Sequence, residues 1–163
     1  MTENPSHLLH HSGHILPPPA AAERAVLESP GPALVLDLAA ADALSAAQLA
    51  ALGIWCGQQP VPVVGVGPYG SAARACVDVV AESDAELQRL LRNIQRFPQA
   101  SLVLVQVLRA IVGMPPEQGL TVESLGYSTL QSGAEYRAWL HQHRARNPGG
   151  RRYPAPTPVS PRS

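Results

Sequence analysis

The chain has 163 residues with 12 basic and 12 acidic side chains, so its formal net charge is zero, and it lacks the concentrated positive charge that nucleic-acid or anionic-membrane binding requires. Hydrophobic residues make up 45% but aromatics only 4%, which allows one packed domain at this length with an aliphatic, alanine-rich interior. All the basic residues are arginine, which excludes Schiff-base and P-loop lysine chemistry, and Cys56 and Cys76 are too few for a disulfide scaffold or a cysteine-only zinc site.

No apolar run approaches the ~20 residues of a membrane span, and residues 1–16 lack the cationic-then-apolar order of a signal peptide. A reduced, cytoplasmic protein with neither nucleic acid nor membrane as partner is the expectation. Of the 17 prolines, 11 fall outside residues 33–146. Because proline fixes φ and removes a backbone donor, this sets three regions: a flexible segment 1–32, a folded domain 33–146, and a disordered Pro/Arg tail 147–163. In the first, 20–28 has the composition of a short helix. His7, His10, His11 and His14 have the spacing that would put imidazoles on one helix face for zinc or nickel. The surrounding residues neither favour a helix nor add a ligand set, so a histidine-rich tail and no metal site are expected.

Inside the domain, 33–38 (ALVLDL) reads as a buried strand. Residues 42–58 read as a helix with Leu44, Leu49, Leu52 and Trp55 at helical intervals and Asp42 as N-cap. A second strand is expected at 61–66, a turn at 67–70, one helical turn at 71–75 and a third strand at 76–81, giving β-α-β-turn-β. The second half reads as helical. Ser83 and Glu86 have capping-box spacing ahead of a helix over 87–97. Pro98 suits the first position of a helix that runs to Gly113. The stretch restarts at Pro115-Pro116, and Ser132 with Glu135 forms a second box, opening a helix with Tyr136, Trp139, Leu140 and His143 on one stripe.

Few groups are free for chemistry. Glu86, Glu135 and Asp42 are assigned to caps. Asp37 and Asp78 sit at strand positions, where an aspartate more often accepts from nearby backbone amides than moves protons. Glu123 and Tyr127, four apart, read as an exposed or interfacial pair. His141 and His143 read as surface residues, and Cys56 as a buried thiol without an activating base. The glycines between Gly65 and Gly70 match neither nucleotide-binding fingerprint, and Pro68 removes an amide that would cradle an anion. A sharp strand-to-helix connection is the simpler reading.

The run PVPVVGVGPYGSAARACVDVVAE at 60–82 resembles the signature of the crotonase (enoyl-CoA hydratase/isomerase) superfamily. There, an LPKPVIAAVNG strand leads through a glycine-rich oxyanion loop and short helix into a CDLRIA strand. Residues 87–109 and 120–144 are similar in shape and order to that family's helical end. The resemblance covers 33–146 and implies an α/β fold: a partial crotonase-like β-β-α core with a C-terminal helical region. It implies an oxyanion or CoA loop at Gly67, Tyr69, Gly70 and Ser71, an acyl-CoA ligand and no other cofactor. It also implies self-association through the C-terminal helices, or pairing with a full-length crotonase-like homologue. The departures are chemical. Counted back from Asp78, the first catalytic glutamate of the family falls on Ala72. The segment carrying the second is absent, since Val80-Ala81-Glu82 runs straight into Ser83. The loop that supplies the other oxyanion amide has no room before Gly65. A chain that has lost two-glutamate catalysis, and serves as an acyl-CoA-binding or assembly partner, is therefore expected. The alternative is a hydratase or isomerase using relocated carboxylates, with Asp78, Glu82 and Glu123 as candidates.

Overall fold

The computed structural model describes residues 18–27 and 32–146, except for the side chains of 144–146. The histidine cluster, most of the expected 1–32 segment and the whole of 147–163 lie outside the described residues. Where a short helix was expected at 20–28, a 3-10 helix over Ala20–Ala25 leads into a two-residue strand, β1 (Val26–Leu27). β1 pairs antiparallel with β2 (Leu34–Asp37), which pairs in parallel with β3 (Val63–Val66), and β3 in parallel with β4 (Val79–Ala81). The result is a mixed α/β fold around a four-stranded sheet in the order β1-β2-β3-β4.

The strands are short valine- and leucine-rich runs because the sheet is covered on both faces, as parallel sheets are. Alternation along each strand sends residues to opposite sides. Leu34, Leu36 and Val63 join Leu38, Ala41, Leu52, Trp55 and Cys56 in one apolar cluster. Ala33, Val35, Val64 and Ala81 join Leu91 and Ile94 in another. The first cluster is closed by α1 (Leu38–Asp42) and α2 (Ala46–Gly57), the second by α3 (Asp84–Arg96).

Two expected boundaries move, each for a local hydrogen-bonding reason. The single helix expected over 42–58 is broken into α1 and α2, and Asp42 caps neither. Asp37 accepts from the Ala39 and Ala40 amides to start α1. Ser45 and Gln48 form a full capping box at α2. The third strand is shorter than expected because Ala72–Cys76 is wound into a 3-10 helix, capped by the Ser71 hydroxyl, which accepts from the Ala73 amide. β3 and β4 are thus parallel neighbours joined by residues 67–78 alone, near the shortest span a parallel crossover permits.

The helical half follows as α4 (Pro98–Ala110), α5 (Pro116–Ser132) and α6 (Ala134–Arg146). Pro98 is at the start of α4, as its fixed φ favours. The β-branched stretch is helical, yet only Val105 of α4 is buried, and no residue of α5 is. At the first capping box, Ser83 accepts from the Glu86 amide, but the Glu86 carboxylate accepts from Glu82 rather than Ser83. The second box does not form. Ser132 is the last residue of α5, and the Glu135 carboxylate reaches across to accept from the Gln99 and Ala100 amides at 3.0 Å each. It caps α4 instead of α6, because the bare N-terminus of α4 offers unpaired donors and a favourable dipole end. Tyr136, Trp139 and His143 do share a stripe: their rings stack in sequence, with centroids 5.8 and 4.9 Å apart. No helix among the described residues is long and apolar enough to cross a membrane.

α5 approaches α4 at Gly126, where a Cβ would lie 2.7 Å from Val107 Cγ2 and 3.3 Å from Val103 Cγ1. Replacing Gly126 by leucine should therefore lever the two helices apart, with a cost of about 1–3 kcal/mol expected for overpacking. Urea titration followed by circular dichroism should show the lowered midpoint; an unchanged midpoint would contradict this packing.

Candidate functional site at the sheet edge

β4 is the last strand of the sheet, and a cleft of about 630 Å³ opens beside it, lined by Tyr69, Ser71, Ala72, Arg74, Asp78 and Val80 among others. The chain arrives by a sharp turn at Gly67, whose φ of +138° is closed to ordinary side chains. Its amide donates to the Ala81 carbonyl at 3.1 Å. Ser71 is buried, its amide donating to the Pro68 carbonyl and its hydroxyl to Asp42 Oδ1 at 2.8 Å. Asp42 also accepts from the Ala73 amide at 3.1 Å, so it holds the short 3-10 helix against α1.

Gly67, Tyr69, Gly70 and Ser71, the expected oxyanion or CoA loop, lie together on this turn. Gly67 and Ser71 spend their amide hydrogens inside the protein. Tyr69 and Gly70 are exposed. The Arg74 guanidinium lies 3.7 Å above the Tyr69 ring centre and donates to the Tyr69 hydroxyl. Ala72, where the crotonase resemblance would have placed a glutamate, contributes a methyl group to the cleft wall.

The three candidate carboxylates are not brought together at this cleft. Asp78 lines it; Glu82 and Glu123 are exposed and are not on its wall. Asp78 is committed elsewhere. Its Oδ1 accepts from Arg109 Nε at 2.8 Å, and its Oδ2 from Arg109 Nη2 at 2.5 Å and from the Val63 amide at 2.7 Å. Arg109 also donates to the Gln59 carbonyl at 2.6 Å and the Val61 carbonyl at 3.2 Å. The Arg109 and Asp78 side chains keep only 19% and 15% of their exposure. A forked ion pair with this many partners fixes the carboxylate oxygens as acceptors, which is a positioning role.

On the far side of Asp78 a second cavity of about 300 Å³ is lined by Cys56, Cys76, Leu108, Arg109 and Val112. Burial pushes the Cys56 thiol from its ordinary 9.0 up to about 12, with Cys76 and Asp78 adding to the rise and Arg109 opposing it. Cys76 is half-buried, is also raised by burial, and donates weakly to the Leu49 carbonyl. Neither is an activated nucleophile at neutral pH. His141 and His143 are exposed. Among the described residues no group of three or more potential ligands could hold a metal ion.

The roles of Arg109 and Asp42 were not read from the sequence. Arg109 carried a signal, being the one charge in the apolar stretch 98–116; a lone charge there implies a buried partner. Asp42 carried none, since its partners lie 29 and 31 residues away. Comparison of the chain with family models, curated proteins and solved structures finds no match to any of them.

Arg109→Met strands the Asp78 carboxylate and two carbonyls, and a loss of up to about 3 kcal/mol of stability is expected, since breaking a covered pair is costly. Arg109→Lys should recover less than half of that, because an ammonium cannot copy the fork; full recovery by lysine in a denaturant titration would count against the clamp. For Cys56 the sign is fixed by linkage: above pH 9 the unfolded chain releases a proton that the folded chain keeps up to about pH 12. The excess stability of wild type over Cys56→Ala should therefore narrow as pH rises through that window, and be constant below it. A gap that stays level to pH 12 would refute this burial-driven shift.

Proposed function

We propose that the chain is a catalytically silent assembly subunit with a crotonase-like architecture. The observation that carries this reading is the uncovered apolar surface of the helical half. Leu104, Leu108 and Val112 form a stripe on and just beyond α4 with 57%, 52% and 80% exposure, and Leu120 and Leu125 on α5 are each 65% exposed. Scattered exposed leucines need no explanation, but apolar side chains recurring every turn at 104, 108 and 112 form an exposed stripe of the kind that marks a contact surface. α5 also has no fully buried residue of its own, so the apolar side chains it leaves exposed, Leu120 and Leu125 among them, would gain burial against a further surface. A second copy of the chain is the occupant favoured here, since a net charge of zero opposes self-contact with no overall repulsion.

The architecture supports the same reading. Parallel strands β3 and β4 flank a glycine turn and a short 3-10 helix, with an aspartate at the entrance to β4 and four helices beyond. That is the order the resemblance implies. The geometry favours silence over relocated catalysis, because general acid–base groups supply about 10²–10⁴-fold only when aimed at the reacting atoms. Asp78 is held by Arg109 and Val63, while Glu82 and Glu123 lie off the cleft wall.

A second reading, retention of acyl-CoA without turnover, is favoured by one feature: the Arg74 guanidinium at the rim of the 630 Å³ cleft, stacked on Tyr69, where it would meet a phosphate group. Coenzyme A at millimolar concentration should then raise the melting temperature, and Arg74→Ala should abolish the rise.

Light scattering on the full chain at micromolar concentration tests the main reading. The expected mass is a multiple of the monomer's, returning to the monomer's in a Leu104→Glu/Leu108→Glu/Leu125→Glu variant. A wild-type monomer that also fails to co-elute with a full-length crotonase-like enzyme overturns the assembly role. Hydration of crotonyl-CoA above the buffer rate, lost in Glu123→Gln, overturns the silence.

A further inference from the structure

Away from both the sheet-edge cleft and the leucine stripe, the ends of three helices enclose a second kind of surface. Phe97 at the start of α4, Tyr127 and Leu130 on α5, and Tyr136 and Trp139 on α6 line an apolar cleft of about 270 Å³, with Glu135 in its wall. It gathers four of the six aromatic side chains among the described residues. Stacking of Tyr136 on Trp139 and of Trp139 on His143, at 17° and 11° between planes, sets the α6 wall as a flat ladder of rings. The cleft is not covered by the described residues: Trp139 on the ladder keeps 41% and Tyr127 on the opposing α5 wall 62% of its exposure.

Flat aromatic walls in water are complementary to polyproline. The proline ring is apolar and rigid, brings no amide hydrogen that would be desolvated, and is preset in the extended left-handed helix, so little conformational entropy is lost on docking. This chain carries a segment of matching composition. Residues 147–163, NPGGRRYPAPTPVSPRS, hold five prolines, with Val159 as the only branched aliphatic residue. Pro158 and Pro161 are three apart, the spacing that would put them on one face of a three-residue-per-turn helix, and Tyr153 opens the run.

The attachment point suits the groove. The segment leaves from the end of α6, and α6 itself supplies the Tyr136–Trp139 wall. From Trp139 to Arg146 the helix advances about 10 Å. The eight residues from Arg146 to Pro154 span about 25 Å if extended as polyproline, enough to turn back over the end of α6 and lie along the cleft. Tethering of this length corresponds to millimolar effective concentration, so even a weak contact would be well populated. Charge agrees with this direction: the segment carries Arg151, Arg152 and Arg162, the cleft wall carries Glu135, and Glu123 stands one helical turn before Tyr127.

We infer that the aromatic cleft formed by Phe97, Tyr127, Tyr136 and Trp139 is a polyproline-binding site, and that its occupant is the proline-rich segment 153–161 of the same chain. The contact covers the exposed rings and ties the segment after α6 back onto the α4–α5–α6 corner. It is independent of the assembly reading, because the leucine stripe contributes no residue to the cleft.

The test uses the full chain with Tyr153 replaced by p-benzoylphenylalanine, irradiated and mapped by mass spectrometry. Crosslinks are expected in the peptides that contain Tyr127–Gln131 and Tyr136–Trp139. They should fall at least tenfold in a Pro154→Ala/Pro156→Ala/Pro158→Ala variant, which leaves the described residues untouched, and in Trp139→Ala. Excess synthetic peptide of sequence 147–163 should suppress them. In a mixture of ¹⁵N-labelled and unlabelled protein, both ends of each crosslink should carry the same isotope. Crosslinks spread over other surfaces, yields unchanged by the proline variant, or mixed-isotope crosslinks would each overturn the inference.

Discussion

One guanidinium joins the two halves of the molecule. Arg109, on α4, donates in a fork to Asp78 at the entrance to β4 and to the Gln59 and Val61 carbonyls at the entrance to β3. Gln106, one turn earlier, donates to the Gln59 and Pro60 carbonyls. Those carbonyls lie just before β3, where the sheet ladder has not yet begun and backbone acceptors need partners. Helix α4 is thus anchored by polar groups that the sheet leaves unpaired, while its apolar residues stay largely at the surface. The apolar clusters hold the sheet, α1, α2 and α3 together; the Arg109 clamp fixes where the remaining helices start.

The same clamp decides the chemistry of the sheet edge. A carboxylate shared between a guanidinium fork and a backbone amide has its oxygen lone pairs directed at fixed donors, and is a poor proton shuttle. With Asp78 occupied, and alanine at position 72, the cleft beside β4 offers surface and a nearby cation in Arg74, with no free acid–base pair. Asp37 and Asp42 are spent in the same manner, each accepting two hydrogen bonds from loop or helix-start groups. In this small domain acidic side chains serve mainly to finish backbone hydrogen bonding where helices and strands meet, and that use competes with catalysis.

The helical half divides its uncovered surface by chemistry. Branched aliphatics lie along α4 and α5, and rings gather where α4, α5 and α6 come together. Aliphatic stripes on helices suit packing against another helical surface, where ridges enter grooves. Rigid aromatic walls suit a narrow extended chain without backbone donors. The leucine stripe and the cleft share no residue, so the two proposed contacts would not compete for the same surface.

Much of the secondary structure was legible in the sequence because its signals are local. Apolar runs gave the three parallel strands, Pro98 and Pro116 marked helix starts, and the Tyr136-Trp139-His143 spacing gave the ring ladder on α6. The backbone-binding role expected of a strand-end aspartate also holds for Asp37 and Asp78, since any exposed amide near such a residue attracts its carboxylate. Spacing misled where a polar side chain had two sets of partners to choose from. Asp42 was available to cap α2 but bonds to Ser71 and Ala73, and Glu135 was available to its own helix but caps α4, because those donors are brought close only by the fold. Tertiary structure alone decided that Arg109 meets Asp78, that the three candidate carboxylates are kept apart, and that four rings from three helices face one cleft. Each depends on residues dozens of positions apart arriving in the same place, and hydrophobic periodicity specifies which face of an element is buried without specifying against what.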